Sequence, residues 1–162
     1  MDCPAPSSAS ENCVLKSIRA LSDSAGSKGH RVVEYLKCLG HEVIDVGSYD
    51  EEPVDFPEIA QAVTRAVNDG SAERGLLVCG TGVGASIAPS KVKGIRAAVG
   101  HDVHSAHQCV EHDDVNVRCI GAQIVGSWLA LDLIDAFQSA EFSTDEDFRR
   151  RVSMLHDMDN AR

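Results

Sequence analysis

The sequence predicts an α/β fold, a parallel sheet with helices on its faces, and three observations carry that prediction. Short segments rich in Val, Ile and Leu alternate with amphipathic segments of helix length, the pattern of successive strand and helix units. The run Gly75-Leu76-Leu77-Val78-Cys79 is apolar without alternation, as a buried strand requires. No period of about 20 to 50 residues repeats, which excludes a solenoid.

Taken in order, residues 1–12, with Pro4, Pro6 and a Ser-rich stretch, read as a disordered tail, and residues 13–162 as a single domain. Strands are expected over 14–21, 42–46, 75–79, 95–100 and 117–120, five in all. Between them fall helices over 28–39 closed by Gly40, 57–68 closed by Gly70, 85–91 closed by Gly94, and 103–112. Pro57 sits in a first helical turn, where its missing N–H costs nothing. Two further helices, 127–139 and 145–156, follow with no strand after them, which leaves the last one free to pack on a neighbour. In the first of these, Trp128, Leu131, Leu133, Ile134 and Phe137 form a broad apolar face suited to a core or a subunit interface. The second begins with Asp145, Glu146 and Asp147 and carries Arg149, Arg150 and Arg151 further in, as the helix dipole prefers.

Composition narrows the function. A chain of 162 residues with 43% apolar content makes one domain with a core, and its net charge of -10 argues against a sequence-independent grip on nucleic acid. No apolar stretch reaches the length of a membrane span. The first ten residues lack a basic region followed by an apolar one, so they do not read as a secretory signal. Six cysteines (Cys3, Cys13, Cys38, Cys79, Cys109, Cys119) occur without C-x-x-C spacing, which fits a reducing, cytoplasmic setting.

Chemistry is concentrated where the 75–79 strand ends. Cys79 opens into Gly80-Thr81-Gly82-Val83-Gly84, whose glycines let backbone N–H groups approach a ligand, and Ala85-Ser86-Ile87-Ala88 can start a helix that favours negative charge. A thiol placed there ionises more readily than a free one. The spacing is not G-x-G-x-x-G, and no Lys-Ser/Thr pair completes a P-loop, so a nucleotide cofactor is not indicated. In a doubly wound sheet ligands bind at the carboxyl ends of strands where the winding reverses, and if the first and third strands are neighbours, Asp23 faces Cys79. His101, His104 and His107 step around a helix by threes and drift off one face, so no metal site is expected. His112 lies within Glu111-His112-Asp113-Asp114, whose carboxylates can hold its ring in one tautomer.

A longer series of residues resembles a known family. Asp23-x-Ala25-Gly26, Gly40-His41-Glu42-Val43-x-Asp45-x-Gly47, Asp55-Phe56-Pro57, Cys79-Gly80-Thr81-Gly82-Val83-Gly84, Ser86-Ile87-Ala88, Lys91-x-x-Gly94-Ile95-Arg96-Ala97, His101-Asp102-x-x-Ser105-Ala106 and His112-x-Asp114-x-Asn116-Val117 resemble, in order and spacing, the type B ribose-5-phosphate isomerases and the related galactose-6-phosphate isomerases. The match covers roughly residues 18 to 158. It implies a three-layer Rossmann-like domain with a five-stranded parallel sheet and an extra C-terminal helix. It also implies a homodimer able to pair into a tetramer, and interconversion of an aldose and a ketose without a cofactor, by default ribose 5-phosphate and ribulose 5-phosphate.

On the family pattern Cys79 is the base, Thr81 and the N–H groups of Gly80, Gly82, Val83 and Gly84 hold the enediolate, and His112 opens the sugar ring at a site shared between subunits. Asp23 and Asn116 are substrate contacts. A second branch of the family carries a glutamate base where this chain has Ala85, so Cys79 places the chain in the cysteine branch. Departures fall on the phosphate contacts: Ser24 stands where the family has His, Gln123 and Asp147 stand where it has Arg, and only Arg151 keeps its charge. Asp113 replaces the usual Asn beside the ring opener. Each lost charge-assisted bond is worth about 1.5 to 3 kcal/mol, so either the phosphate is bound differently or the preferred sugar differs, toward a non-phosphorylated or differently phosphorylated aldose. A non-catalytic sugar-binding relic is the alternative from another class.

Overall fold

The computed structural model describes residues 16–21, 26–47 and 55–161. Its strands are β1 (Lys16–Leu21), β2 (Glu42–Asp45), β3 (Arg74–Cys79), β4 (Ala97–Val99) and β5 (Val117–Gly121). They form one sheet in the order β2-β1-β3-β5-β4, and every pairing is parallel. The helices are α1 (Gly26–Cys38), α2 (Phe56–Asn68), α3 (Val83–Ile87), α4 (Val103–Asp113), α5 (Ser127–Ser139) and α6 (Glu146–Asn160).

Both faces of the sheet are covered, which is why β3 is buried at four consecutive positions, 75–78, instead of alternating. Leu76, Ile120, Val32, Leu36, Val110, Leu133, Ile134 and Phe137 make one core between the sheet and α1, α4 and α5. On the opposite face Leu77, Val117 and Cys119 pack with Ala60, Val63 and Ala85 of α2 and α3. The result is a three-layer, Rossmann-like α/β arrangement. Helix α6 stands outside these layers, packs on α4, and buries Val152 alone.

Several boundaries differ from the sequence pattern, each for a local reason. The helix expected over 85–91 begins two residues earlier and breaks after Ile87, where Pro89–Lys91 form a 3-10 turn. Pro89 has no N–H to continue the α-helix and its ring crowds the preceding turn. Strand β4 is three residues long, not six, because Arg96 N–H donates to the Asn116 side chain at 2.9 Å and the Gly100 carbonyl accepts from Arg118 at 2.9 Å. On the apolar face read as a core or a subunit interface, Trp128 is 83% exposed in the first turn of α5, while Leu133, Ile134 and Phe137 are buried in the core. Cys38 is disulfide-bonded, a departure from the fully reduced chain expected from the cysteine spacing. No described helix is long and apolar enough to cross a membrane.

Candidate active site

The winding of the sheet reverses between β1 and β3, which are neighbours with Leu21 opposite Val78. Strand β3 ends at that point on Cys79, a half-buried free thiol, and the chain turns through Gly80, Thr81 and Gly82 into α3. Gly82 takes φ 80°, a left-handed conformation open to glycine at little cost. It is also crowded: a Cβ there would lie 2.8 Å from Val99 Cγ2 and 3.2 Å from the Gly121 nitrogen. The loop is therefore pressed onto the end of β5. Two N–H groups of β5's exit hold it, Ala122 donating to the Cys79 carbonyl at 2.7 Å and Gln123 to the Gly80 carbonyl at 2.9 Å. Thr81 is exposed, with its hydroxyl oxygen 3.4 Å from the Val83 nitrogen that donates to it.

Of the three free thiols among the described residues, two are held protonated by their surroundings. Burial pushes Cys119 up, and its thiol donates to the Ala85 carbonyl at 3.0 Å. Burial also raises Cys109, partly opposed by Arg118. Cys79 is the one that borders the glycine loop, where a thiolate could meet a substrate carbon and N–H donors could meet an adjacent oxygen.

A second group of expected site residues gathers on α4 and α6. The His112 ring stacks on Phe148 with centroids 3.8 Å apart and planes 14° apart, and the Arg151 guanidinium lies 5.5 Å over the same Phe148 ring. Glu111 stands 3.9 Å from His112 Nε2. Asp113 is exposed at the end of α4. Asp147 is paired with Arg150 at 3.0 Å, and that contact holds its carboxyl below the usual range. The carboxylate at this former arginine position is thus compensated within its own helix.

Asn116, expected as a substrate contact, is bonded to backbone on both sides of its amide. Its side-chain oxygen accepts from Arg96 N–H and its amide nitrogen donates to the Gly94 carbonyl, both at 2.9 Å, so it brackets the chain entering β4. The adjoining Arg96 to Asp114 ion pair, at 2.5 Å, steadies the same corner. Sequence reasoning gave neither Arg96 nor Phe148 a role at the site; the spacing from Phe148 to Arg151 was the available signal.

The two groups lie at opposite ends of the sheet. Val117 pairs with Gly75 and Gly121 with Cys79, so β5 alone separates them by about 13 Å at 3.3 Å per residue. Cys79, Thr81, Gly80, Gly82, Val83, Gly84 and Gln123 share one end; His112, Asp113, Asn116 and Arg151 share the other. Asp23 and Ser24 lie outside the described residues. His101, taken with the helical histidines from sequence, is in the turn before α4, where its Nε2 accepts from Gly121 N–H at 3.1 Å.

Comparison with known proteins bears on this arrangement. The sequence profile described as Ribose/Galactose Isomerase matches residues 18–155. The chain is 42% identical over 113 residues to ribose-5-phosphate isomerase B of Escherichia coli, covering 70% of this chain and 76% of that one. It is 39% identical over 132 residues to D-erythrulose-4-phosphate isomerase of Pectobacterium atrosepticum, covering 79% and 86%. The solved structure of ribose-5-phosphate isomerase B from Clostridium thermocellum superposes with a TM-score of 0.87 at 36% identity, covering 91% of this chain and 99% of that one. With a matched profile over most of its length and the same fold, the chain belongs to the ribose/galactose isomerase family.

Proposed function

We propose that the protein is a cofactor-independent aldose-ketose isomerase of sugar phosphates, formed by residues 13–162 and working as a homodimer. The observation that carries this reading is the placement of Cys79, a free and half-buried thiol at the winding reversal, beside a loop held in register by Gly82 and the end of β5. In the forward direction Cys79 takes the proton from C2 of the open aldose, and charge passes to O1. Thr81 and the loop N–H groups stabilise that enediolate. Cys79 returns the proton at C1 while the O2 hydrogen passes to O1, which leaves the carbonyl at C2 and a hydroxyl on C1. His112 opens the ring, and Arg151 beside it holds the phosphate.

Because His112 and Arg151 stand at the far end of the sheet from Cys79, one site draws on two chains. Exposed apolar side chains around the loop, Phe56, Val83, Ile87 and Ile124, support a partner on that face. The pair ribose 5-phosphate and ribulose 5-phosphate is the first to test, since the Escherichia coli relative is named for it. A shorter sugar phosphate is the second reading. It is supported by the 39% identity to a D-erythrulose-4-phosphate isomerase, and by Ser24 and Gln123 at positions the family uses for phosphate.

The test is ketose formation from a panel of four-, five- and six-carbon aldose phosphates and free aldoses, with Cys79→Ala as control. Turnover abolished by Cys79→Ala supports the base; unchanged turnover removes that assignment, and no turnover of any sugar favours a binding relic. Mixing inactive Cys79→Ala with inactive His112→Ala then reads the shared site. Random re-pairing restores about a quarter of wild-type activity if the site spans two chains, and none if it lies within one.

A further inference from the structure

Strand β4 stops at Val99, opposite Cys119 of β5. Two residues further along β5, Gly121 has Cys79 beside it on the β3 side and no strand on the other. A buried N–H at such a position needs an acceptor, because leaving it unpaired costs as much as a lost hydrogen bond. The acceptor is His101, two residues beyond Val99: its Nε2 receives the Gly121 N–H at 3.1 Å. A side chain thus continues the ladder that the backbone of β4 has left.

The bonded peptide touches the loop that follows Cys79. A Cβ on Gly121 would meet the Thr81 carbonyl oxygen at 2.7 Å, and a Cβ on Gly82 would meet the Gly121 nitrogen at 3.2 Å. The next two N–H groups, of Ala122 and Gln123, hold the Cys79 and Gly80 carbonyls. Three successive donors at the end of β5 therefore fix this corner, and only the first depends on a side chain.

His101 is itself held on both sides. Arg118, 1% exposed, donates from Nη2 to the Gly100 carbonyl at 2.9 Å. Asp102 caps α4, its Oδ1 accepting from Ser105 N–H at 2.8 Å and its Oδ2 from the Ser105 hydroxyl at 2.6 Å. With residues 100 and 102 both anchored, the ring between them is presented in a fixed place, which is how a supporting shell preorganises a site.

We propose that His101 is a positioning residue for the isomerase reaction: through the Gly121 peptide it sets where Thr81, Gly82 and Cys79 stand relative to the sugar. The inference rests on the isomerase reading above. Its role is to accept one hydrogen bond, so a side chain of similar reach with an acceptor substitutes for it and an apolar one does not.

The experiment compares His101→Gln with His101→Leu and His101→Ala, using the sugar phosphate that the wild type turns over best. Both non-accepting variants are expected to lose kcat by about 10- to 100-fold, the scale of a misplaced reacting group, with KM changed less than about 3-fold. His101→Gln is expected to recover kcat to within about 3-fold of wild type. Hydrogen exchange of the Gly121 amide, followed by NMR without any sugar, is expected to quicken in the non-accepting variants and stay slow in His101→Gln. Wild-type kcat in a folded His101→Leu or His101→Ala protein overturns the proposal, as does His101→Gln failing to exceed them. If His101→Leu does not fold, His101→Ala against His101→Gln decides the question. Failure of the isomerase reading shows separately, as turnover indifferent to Cys79→Ala.

Discussion

Replacing Gly82 by alanine tests whether the loop after Cys79 is held by close contact or merely by backbone conformation. Two costs apply. Alanine at φ 80° is penalised by about 1 to 2 kcal/mol relative to glycine. Its Cβ would lie 2.8 Å from Val99 Cγ2 and 3.2 Å from both the Gly121 nitrogen and the Ile120 carbonyl carbon, so β4 or β5 must shift, at about 1 to 3 kcal/mol for overpacking. Gly70 supplies the internal control, because its φ is +78° and a Cβ there meets nothing within 4 Å. Gly70→Ala carries the backbone cost alone, and the entropy that alanine removes from the unfolded chain is common to both variants. The difference is about 1 to 3 kcal/mol, and with a urea slope of about 2 kcal/mol per molar the Gly82→Ala midpoint falls about 0.5 to 1.5 M below that of Gly70→Ala. Turnover should separate them further. Gly70→Ala keeps wild-type kcat, while Gly82→Ala displaces the N–H groups proposed to hold the enediolate and loses about 100- to 1,000-fold. Urea unfolding by circular dichroism and steady-state kinetics measure the two effects. Equal midpoints together with wild-type kcat in Gly82→Ala would refute the packing of this loop against β5.

Two other perturbations follow from contacts away from the loop. Helix α5 ends without a glycine in the left-handed conformation, and Arg74 takes over its last carbonyls, donating to Phe137 and Gln138 from one nitrogen and to Ala140 at 2.6 Å from the other. Arg74→Met is expected to cost about 2 to 3 kcal/mol in urea unfolding, since three carbonyls at the end of α5 lose a charged donor. The Asp102 cap contributes to acid stability: the hydroxyl and then the N–H of Ser105 hold its carboxyl below the ordinary value. A depressed carboxyl contributes fully above its unfolded value, about 3.9, and loses that contribution as pH falls through the lower folded value. Melting temperature against pH should therefore drop more steeply below about pH 4 in wild type than in Asp102→Asn. Parallel acid limbs would show that the cap has no linked proton.

Much of the fold was legible because its signals are local. The apolar run ending at Cys79, Gly40 and Gly70 after the first two helices and the amphipathic segments are properties of neighbouring residues, and α5 (Ser127–Ser139) begins and ends where the sequence pattern placed it. Errors arose where a distant residue intervened. Strand β4 was shortened by Asn116 and Arg118, which reach it from before and within β5.

The sequence by itself determined the alternation of strands and helices, the thiol at a strand end and the glycine loop that follows, since backbone freedom and side-chain chemistry are written residue by residue. Only the tertiary structure decided that Cys79 and His112 stand at opposite ends of one sheet, that Asn116 is engaged with backbone, and that His101 completes the ladder beside Gly121. The physical reason is that strand order and register are set by burial of both sheet faces across the whole chain. A residue's partners among these elements follow from that packing and leave no trace in its own neighbours.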